Sequence, residues 1–203
     1  MPTIYDLKPK FQTLLRPICV ALVRAGITAN AVTRGALVLS LAQGAWLALM
    51  PTSRWPLLLL PVTLFMRMAL NAIDGMMARE HGQASAAGAV LNELSDVVVD
   101  AALYLPFALI PGVDAQLVVL VVVAGITAEM AGALGPMLGG KRRYNGPLGK
   151  SDRAFAFGLL AVLLGLGLNP GTWTTIYLSA LLLLGILTVL NRARSVVRGA
   201  MGK

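Results

Sequence analysis

The chain has 203 residues, of which 57% are apolar and only 13% are charged, against about 25% charged residues in ordinary soluble domains. Its 17 Lys and Arg residues outnumber its 9 Asp and Glu residues and give a net charge of +8. This composition excludes a disordered chain and disfavours a soluble nucleic-acid binder, because the basic residues stand between long apolar runs. A single cysteine, Cys19, excludes an intrachain disulfide. We therefore predict a polytopic membrane protein.

The N-terminal segment, residues 1–27, is predicted to be an amphipathic helix on the membrane surface. From Ile4 to Leu22 apolar residues recur every three or four positions, and the basic residues lie largely off that stripe. The segment has neither an uninterrupted apolar stretch nor a small-residue cleavage site, so it does not resemble a signal peptide. A helix packed on its own protein remains an open alternative.

Six apolar segments follow, each near the length of about 20 residues that a helix needs to cross a bilayer. They are 31–50, 55–73, 85–112, 115–138, 153–169 and 172–191. We expect an all-α integral membrane protein in which residues 1–203 form a single domain. The six-helix membrane bundle would occupy residues 28–203 and follow the surface helix.

The distribution of Lys and Arg predicts the orientation of the chain. These residues precede the first segment, follow the second, fourth and sixth segments, and are almost missing from the opposite loops. Because short cytoplasmic loops carry the excess of positive charge, both termini are predicted to be cytoplasmic. The expected location is a bacterial inner membrane.

Polar side chains within the second and third segments form two stripes. The first consists of Asn71, Asp74 and Ala78. The second, spaced by four residues, consists of Gly88, Asn92, Asp96 and Asp100. Residues three or four apart share a helix face, so a short turn can bring the two stripes together in an oxygen-rich cleft on the cytoplasmic side.

Such a cleft has the chemistry of a site for a hard divalent cation. Neighbouring carboxylates repel one another unless a cation neutralises them, and Mg²⁺ or Mn²⁺ takes carboxylate and amide oxygens and commonly bridges to phosphates. The open alternative is that the acids pair with Arg67, Arg79 or other basic residues for packing alone. That alternative is strongest for Asp100, which lies deeper along its segment.

The two stripes resemble the signature of the CDP-alcohol phosphotransferase (phosphatidyltransferase) family. That signature reads D-x-x-D-G-x-x-A-R, eight residues, then G-x-x-x-D-x-x-x-D. The matching residues are Asn71, Asp74, Gly75, Ala78, Arg79, Gly88, Asn92 and Asp96. The resemblance covers most of the chain, and Thr28-Ala29-Asn30 is similar to the family's T-P-N at the start of the first span. Two of the four signature aspartates are asparagines here.

The resemblance implies roles for these residues. In the family, the aspartates hold one or two divalent metals that grip the pyrophosphate of a CDP-linked lipid, and the last aspartate is the candidate base. Asp96 would accordingly be catalytic. The expected metal ligands, for Mg²⁺ or Mn²⁺, are Asn71, Asp74, Asn92 and Asp96, with Glu93 and Asp100 as candidates to restore the missing negative charge. The expected nucleotide-binding residues are Asp74, Gly75, Ala78, Arg79 and Gly88.

The candidate acceptor site has two parts. One is a basic loop, residues 141–149, before the fifth segment, and the other is the end of the sixth segment. Gly149-Lys150 followed by Arg153 resembles the family's G-K stretch. The expected acceptor-binding residues are Arg143, Lys150, Arg153, Arg192 and Arg194. The open alternative is that these cations only set topology and attract anionic lipid. Glu129, an acid within the fourth segment, could pair with Arg67, line a dimer contact or line the lipid groove.

The implied activity is transfer of a phosphatidyl group from CDP-diacylglycerol to a small alcohol, expected to be a polyol phosphate, with release of CMP. Because Asn71 and Asn92 replace aspartates, a catalytically inactive CDP-lipid-binding or nucleotide-binding homologue is the alternative. A transporter or channel is disfavoured, since the polar residues cluster near one side of the membrane. The expected partners are CDP-diacylglycerol, the acceptor and membrane lipids, with a homodimer left open and nucleic acid excluded.

Overall fold

The computed structural model describes residues 4–201, with side chains from residue 11 onward. This part of the chain is helical, without strands. The α-helices are α1 (Ile4–Arg24), α2 (Ala29–Leu49), α3 (Arg54–Glu80), α4 (Ala86–Tyr104), α5 (Ala115–Met137), α6 (Lys150–Gly165) and α7 (Thr172–Met201). A short 3-10 helix over Leu105–Leu109 extends α4. Each of the six apolar segments forms a helix, so the all-α prediction is confirmed.

Within residues 4–201, four helices, α2, α3, α5 and α7, are long and apolar enough to cross a membrane. Helix α6 has 16 residues, fewer than the roughly 20 that a perpendicular span requires. Helix α4 carries three acids, Glu93, Asp96 and Asp100. The prediction of an integral membrane protein is therefore confirmed at the level of four candidate spans, while the count of six stays a prediction.

The contacts divide the chain into two compact units. The first unit comprises the chain up to Ala42 together with Val62–Val99, and the second comprises Gln43–Pro61 together with the chain from Asp100 onward. The prediction of a single domain stays a prediction. Each unit contains one group of polar residues that the sequence singled out.

In the first unit, α1 is a helix that packs on its own protein. Leu15 and Cys19 are buried in an apolar cluster with Ile73, Met76 and other residues of α2 and α3. Leu14 stays 72% exposed on the adjoining face of α1. The face of α1 around Cys19 therefore packs on the protein, as the alternative to a surface helix expected. A membrane-surface role for the exposed apolar residues of α1 stays a prediction.

In the second unit, small residues allow helices to approach closely. A Cβ at Gly44 would collide with the backbone oxygen of Ala102, and one at Gly165 would lie 2.8 Å from the side chain of Leu58. The aromatic ring of Phe157 stacks on that of Tyr104, with centroids 4.2 Å apart. Close approach through small residues is typical of membrane helices, which gain contact rather than hydrophobic burial when they associate.

Candidate active site

In the first unit, α3 presents three polar side chains along one face. Arg67, Asn71 and Asp74 are separated by four and three residues, so each lies about one turn beyond the last. Arg67 and Asp74 are buried, with 4% and 7% of their surface exposed. Buried polar groups in an apolar helix are costly unless they are paired, so their partners indicate what the face is for.

Asp96 on α4 meets this face of α3. Its Oδ1 atom lies 3.3 Å from Nη2 of Arg67. Asn71 donates through Nδ2 to the same oxygen at 3.4 Å. The predicted convergence of the two polar stripes is therefore present at Asn71 and Asp96. Asn92 lies one turn before Asp96 on α4 and is partly buried.

Asp74 is oriented by a residue that the sequence analysis did not identify. The Thr33 hydroxyl donates to Oδ2 of Asp74 at 2.8 Å, and both side chains are buried. Thr33 lies on the first turns of α2, shortly after the Thr28-Ala29-Asn30 segment that resembles the family's T-P-N. No spacing rule connects Thr33 on α2 with Asp74 on α3, so the sequence contains no signal for this pair.

The start of α2 is joined to the turn between α3 and α4. The backbone N–H of Ala29 donates to Oε1 of Gln83 at 2.7 Å. At Gly88, a Cβ would lie 2.6 Å from Oδ1 of Asn30 and 3.0 Å from Oγ of Ser85. The glycine at this signature position thus permits Asn30 to lie against the first turn of α4.

Gly75 has a similar relation to Arg79. The terminal nitrogens of Arg79 lie 3.1 Å from the position that a Cβ at Gly75 would occupy. The Arg79 side chain therefore folds back along α3, and its residue remains exposed at the surface. Ala78, one position earlier, is partly buried.

The donor types of the signature cluster, which we define as Asn71, Asp74, Asn92 and Asp96, suit a hard divalent ion. Two carboxylates and two amides can supply oxygen ligands, and Mg²⁺ and Mn²⁺ prefer such oxygens. Among the described residues, no group of three or more His, Cys, Asp and Glu side chains could hold an ion. An ion at this cluster would combine the two carboxylates with amide, water or substrate oxygens. The metal roles of Glu93 and Asp100 stay predictions.

The second unit contains a buried arginine network, consisting of Asp100, Glu129, Arg142, Arg153 and Arg192. Arg153 donates through Nη2 to Oδ2 of Asp100 at 2.8 Å and to Oε1 of Glu129 at 2.9 Å. Arg142 lies 2.9 Å from Oε2 of Glu129, and Arg192 lies 3.3 Å from Oε1. Glu129, whose role the sequence left open, therefore joins three arginines.

Glycines on α5 dock the basic loop against this network. The N–H of Arg143 donates to the backbone oxygen of Gly132 at 3.2 Å. A Cβ at Gly132 would collide with the oxygen of Arg143, and one at Gly135 would collide with the oxygen of Lys141. Gly125, one turn before Glu129, lets the Cδ of Arg153 lie 3.0 Å from the missing Cβ.

The partial burial of Arg142, a residue of this loop, affects the pKa of its guanidinium. Burial lowers the pKa of the Arg142 guanidinium, and the neighbouring Arg192 lowers that pKa further, whereas Tyr144 opposes the shift. The guanidinium still carries its charge at neutral pH, because arginine is effectively always protonated in proteins. It can therefore keep its ion pair with Glu129.

A basic pocket of about 470 Å³ lies where the loop meets the end of α7. It is lined by Arg143, Asn145, Asn191, Arg194, Ser195, Arg198 and Gly199, with no acid among them. Arg143 and Arg194 belong to the predicted acceptor set. Arg198 does not, although its spacing of four residues from Arg194 places both on one helix face.

The other predicted acceptor residues lie elsewhere in the second unit. Arg153 and Arg192 are 2% and 1% exposed and take part in the arginine network. Lys150 is the first residue of α6 and is partly buried. Acceptor binding by these three residues stays a prediction, as does the alternative that they serve topology and lipid attraction; the contacts of Arg153 and Arg192 are ion pairs inside the protein.

The comparisons with known proteins agree with the signature. The profile of the CDP-alcohol phosphatidyltransferase family matches residues 26–190, so the chain belongs to this family. It is 45% identical over 197 residues to the inner membrane protein YnbA of Escherichia coli, covering 96% of each chain. The predicted class of protein is therefore confirmed.

Solved structures of another family member share the fold. The phosphatidylinositol phosphate synthase of Mycobacterium tuberculosis with CDP-DAG bound has a TM-score of 0.76 and 20% identity, with 91% of this chain and 94% of that chain covered. The same enzyme in complex with manganese and citrate also gives 0.76, with 21% identity and coverage of 90% and 88%. At this level of identity, the likeness shows the fold.

Proposed function

We propose that this protein transfers a phosphatidyl group from CDP-diacylglycerol to a phosphorylated alcohol and releases CMP. The main support for this proposal is the hydrogen bond from Asn71 of α3 to Asp96 of α4. Asp74, on the same face of α3 as Asn71, is buried and is held by Thr33. The family match and the CDP-DAG bound to the mycobacterial relative support the choice of donor.

The signature cluster would bind the reacting diphosphate. Its two carboxylates and two amide oxygens would hold Mg²⁺ or Mn²⁺, which would neutralise charge on the diphosphate and on departing CMP. The acceptor oxygen would bond to the β-phosphorus while the bond from that phosphorus to CMP breaks. Asp96 would take the acceptor's hydroxyl proton, which makes it the base. Asp74, fixed by Thr33, would keep its carboxylate oriented toward the ligand.

The basic pocket supports an anionic acceptor. Three guanidinium groups without an acid among the lining residues suit a phosphate, which arginine can bind through two parallel hydrogen bonds. A neutral alcohol would leave those charges without compensation from the ligand. We therefore place the phosphate of a polyol phosphate, such as glycerol 3-phosphate or an inositol phosphate, at Arg143, Arg194 and Arg198.

The decisive experiment measures CMP release by the purified protein with CDP-diacylglycerol and Mg²⁺ or Mn²⁺. Each phosphorylated acceptor is paired with its unphosphorylated alcohol, and Asp96→Ala serves as the inactive control. Release that depends on metal and on a phosphorylated acceptor supports the proposal. If the protein binds CDP-diacylglycerol but releases no CMP with any acceptor, it is instead the inactive binding homologue that the two asparagines suggest.

The membrane arrangement is part of the proposal. We place both termini and the reacting headgroups on the cytoplasmic side, with six crossings by α2 to α7, because Lys and Arg concentrate in the corresponding loops. The inner-membrane relative YnbA supports the location. Single cysteines introduced into a Cys19→Ser chain, at either end and in the loop before α7, would test the arrangement by labelling from each side of the membrane.

A further inference from the structure

Arg67 is a cation that contacts the signature cluster but is not one of the residues of the family signature. It lies one turn before Asn71 on the same face of α3, and only 4% of it is exposed. Its Nη2 atom is 3.3 Å from Oδ1 of Asp96 and 3.4 Å from the Asp96 backbone oxygen. An arginine in an apolar helix is expensive to bury, so a partner in the candidate site suggests a role there.

Arg67 and Asn71 act on the same atom. Both donate to Oδ1 of Asp96, the guanidinium at 3.3 Å and the amide at 3.4 Å. An aspartate at position 71 would place a second carboxylate against this oxygen, where like charges repel and require a cation between them. The asparagine removes that repulsion, and Arg67 supplies the positive charge.

The charge of the cluster changes accordingly. Four aspartates carry enough negative charge for two divalent ions, whereas Asp74 and Asp96 carry half of it. Adding Arg67 leaves a single net negative charge on these three side chains. In the absence of substrate, one divalent ion would bring this charge to +1 and two ions would bring it to +3, so a second ion would bind against repulsion.

We propose that Arg67 is a built-in cation that takes the place of one of two metal ions, so that this protein binds a single divalent ion per chain. Arg67 holds the Oδ1 side of Asp96 and adds positive charge beside the diphosphate. This inference rests on the proposed use of the cluster for a metal and a diphosphate. It concerns stoichiometry and affinity, which are measurable without turnover.

The test counts bound Mn²⁺ by electron paramagnetic resonance, which detects the free ion, in detergent-purified protein without substrate. Wild type should bind one Mn²⁺ per chain. Arg67→Gln should bind Mn²⁺ at least about tenfold more tightly, because a positive charge leaves the site. Arg67→Lys, which keeps that charge, should stay within about threefold of wild type.

Arg54→Gln is the matched control, since it removes the same charge from the exposed first residue of α3, 13 residues before Arg67 in the sequence. Its Mn²⁺ affinity should equal that of wild type. Two ions bound by wild type, or an affinity of Arg67→Gln no greater than that of Arg67→Lys, would overturn the proposal.

A second variant keeps the test decisive if Arg67→Gln does not fold. Asn71→Asp restores one family carboxylate while Arg67 remains, and it should still bind one Mn²⁺ per chain. Two ions in this variant would show that Arg67 does not replace a metal. CMP release distinguishes the two proposals: turnover with two bound ions refutes only the role of Arg67, and one ion without turnover refutes only the transferase.

Discussion

Glu129 accepts a hydrogen bond from Arg153 at 2.9 Å inside the second unit, and both residues are almost completely buried. The same carboxylate also pairs with Arg142 and Arg192. Since three arginines from the loop, α6 and α7 converge on one acid of α5, this side chain helps to hold the basic loop in place.

We predict that Glu129→Gln lowers the free energy of unfolding by about 3–5 kcal/mol, because removing one partner leaves buried guanidinium groups without compensating charge. Thermal unfolding in detergent measures the effect. Glu80→Gln is the control: its ion pair with Arg16 is short, at 2.6 Å, but exposed, and should contribute about 0–1 kcal/mol. Equal losses in the two variants would contradict the structural role of Glu129.

Asp74→Asn and Asp96→Asn should each lower the rate of CMP release by at least about a hundredfold, since loss of a metal ligand or a base has an effect of that size. Each variant should remain folded, although Asp96→Asn should lower the melting temperature because the buried Arg67 guanidinium loses the carboxylate charge beside it. Thr33→Val should produce a smaller loss of about tenfold by releasing Asp74 from its hydroxyl donor. A near-normal rate in either aspartate variant would refute the site assignment.

Steady-state kinetics can distinguish the residues that are proposed to bind the acceptor from those that bind the CDP-lipid. Arg194→Ala and Arg198→Ala should raise the KM for the acceptor by about tenfold while the KM for CDP-diacylglycerol changes little, because a charge-assisted contact to phosphate is lost. Lys150→Ala, Arg153→Ala and Arg192→Ala test three further members of the predicted set. The latter two should also lower the melting temperature, since their guanidinium groups belong to the arginine network.

Acceptor kinetics that stay unchanged in all five variants would mean that the basic groups serve only topology and lipid attraction. Arg34→Ala, which removes an exposed arginine near the start of α2, is the control for a general change in charge. It should leave the KM for the acceptor unchanged.

A metal titration of CMP release tests whether other acids compensate for the asparagines. If Glu93 and Asp100 supply charge to the ion, Glu93→Gln and Asp100→Asn should raise the metal concentration needed for half of the maximal rate. The double variant Asn71→Asp, Asn92→Asp should lower it, because carboxylates bind a hard ion more strongly than amides do. Four superimposed curves, wild type included, would make Glu93 and Asp100 structural residues.

The sequence predicted the helices and the meeting of α3 with α4 because apolar length and four-residue spacing are local properties. It did not predict which face of α1 is buried. The apolar stripe predicted to lie on the membrane surface includes Leu14 and Ile18, which are exposed, whereas Leu15 and Cys19, one residue further on, are buried against α2 and α3. One residue turns a helix by about 100°, and both stripes are apolar, so only the tertiary partner selects between them.

The partners of the buried charges were also beyond the sequence. Glu129 lies 13 residues from Arg142 and 24 from Arg153, and no spacing rule connects positions on different helices. Thr33 and Arg198 were missed for the same reason, since a hydroxyl or an end-of-helix arginine has no distinctive pattern until its neighbours are known. Signature spacing, by contrast, identified Asn71 and Asp96 correctly as neighbours.

Main-chain atoms of Lys141 and Arg143 hold the basic loop against Gly135 and Gly132 of α5. Backbone contacts do not depend on which side chain the loop carries at Arg143. Substitutions at that position can therefore alter the ligand that the pocket admits while the loop keeps its path. If the pocket binds the acceptor as proposed, a substitution at Arg143 would change the choice of alcohol without any change in the main-chain contacts that hold the loop.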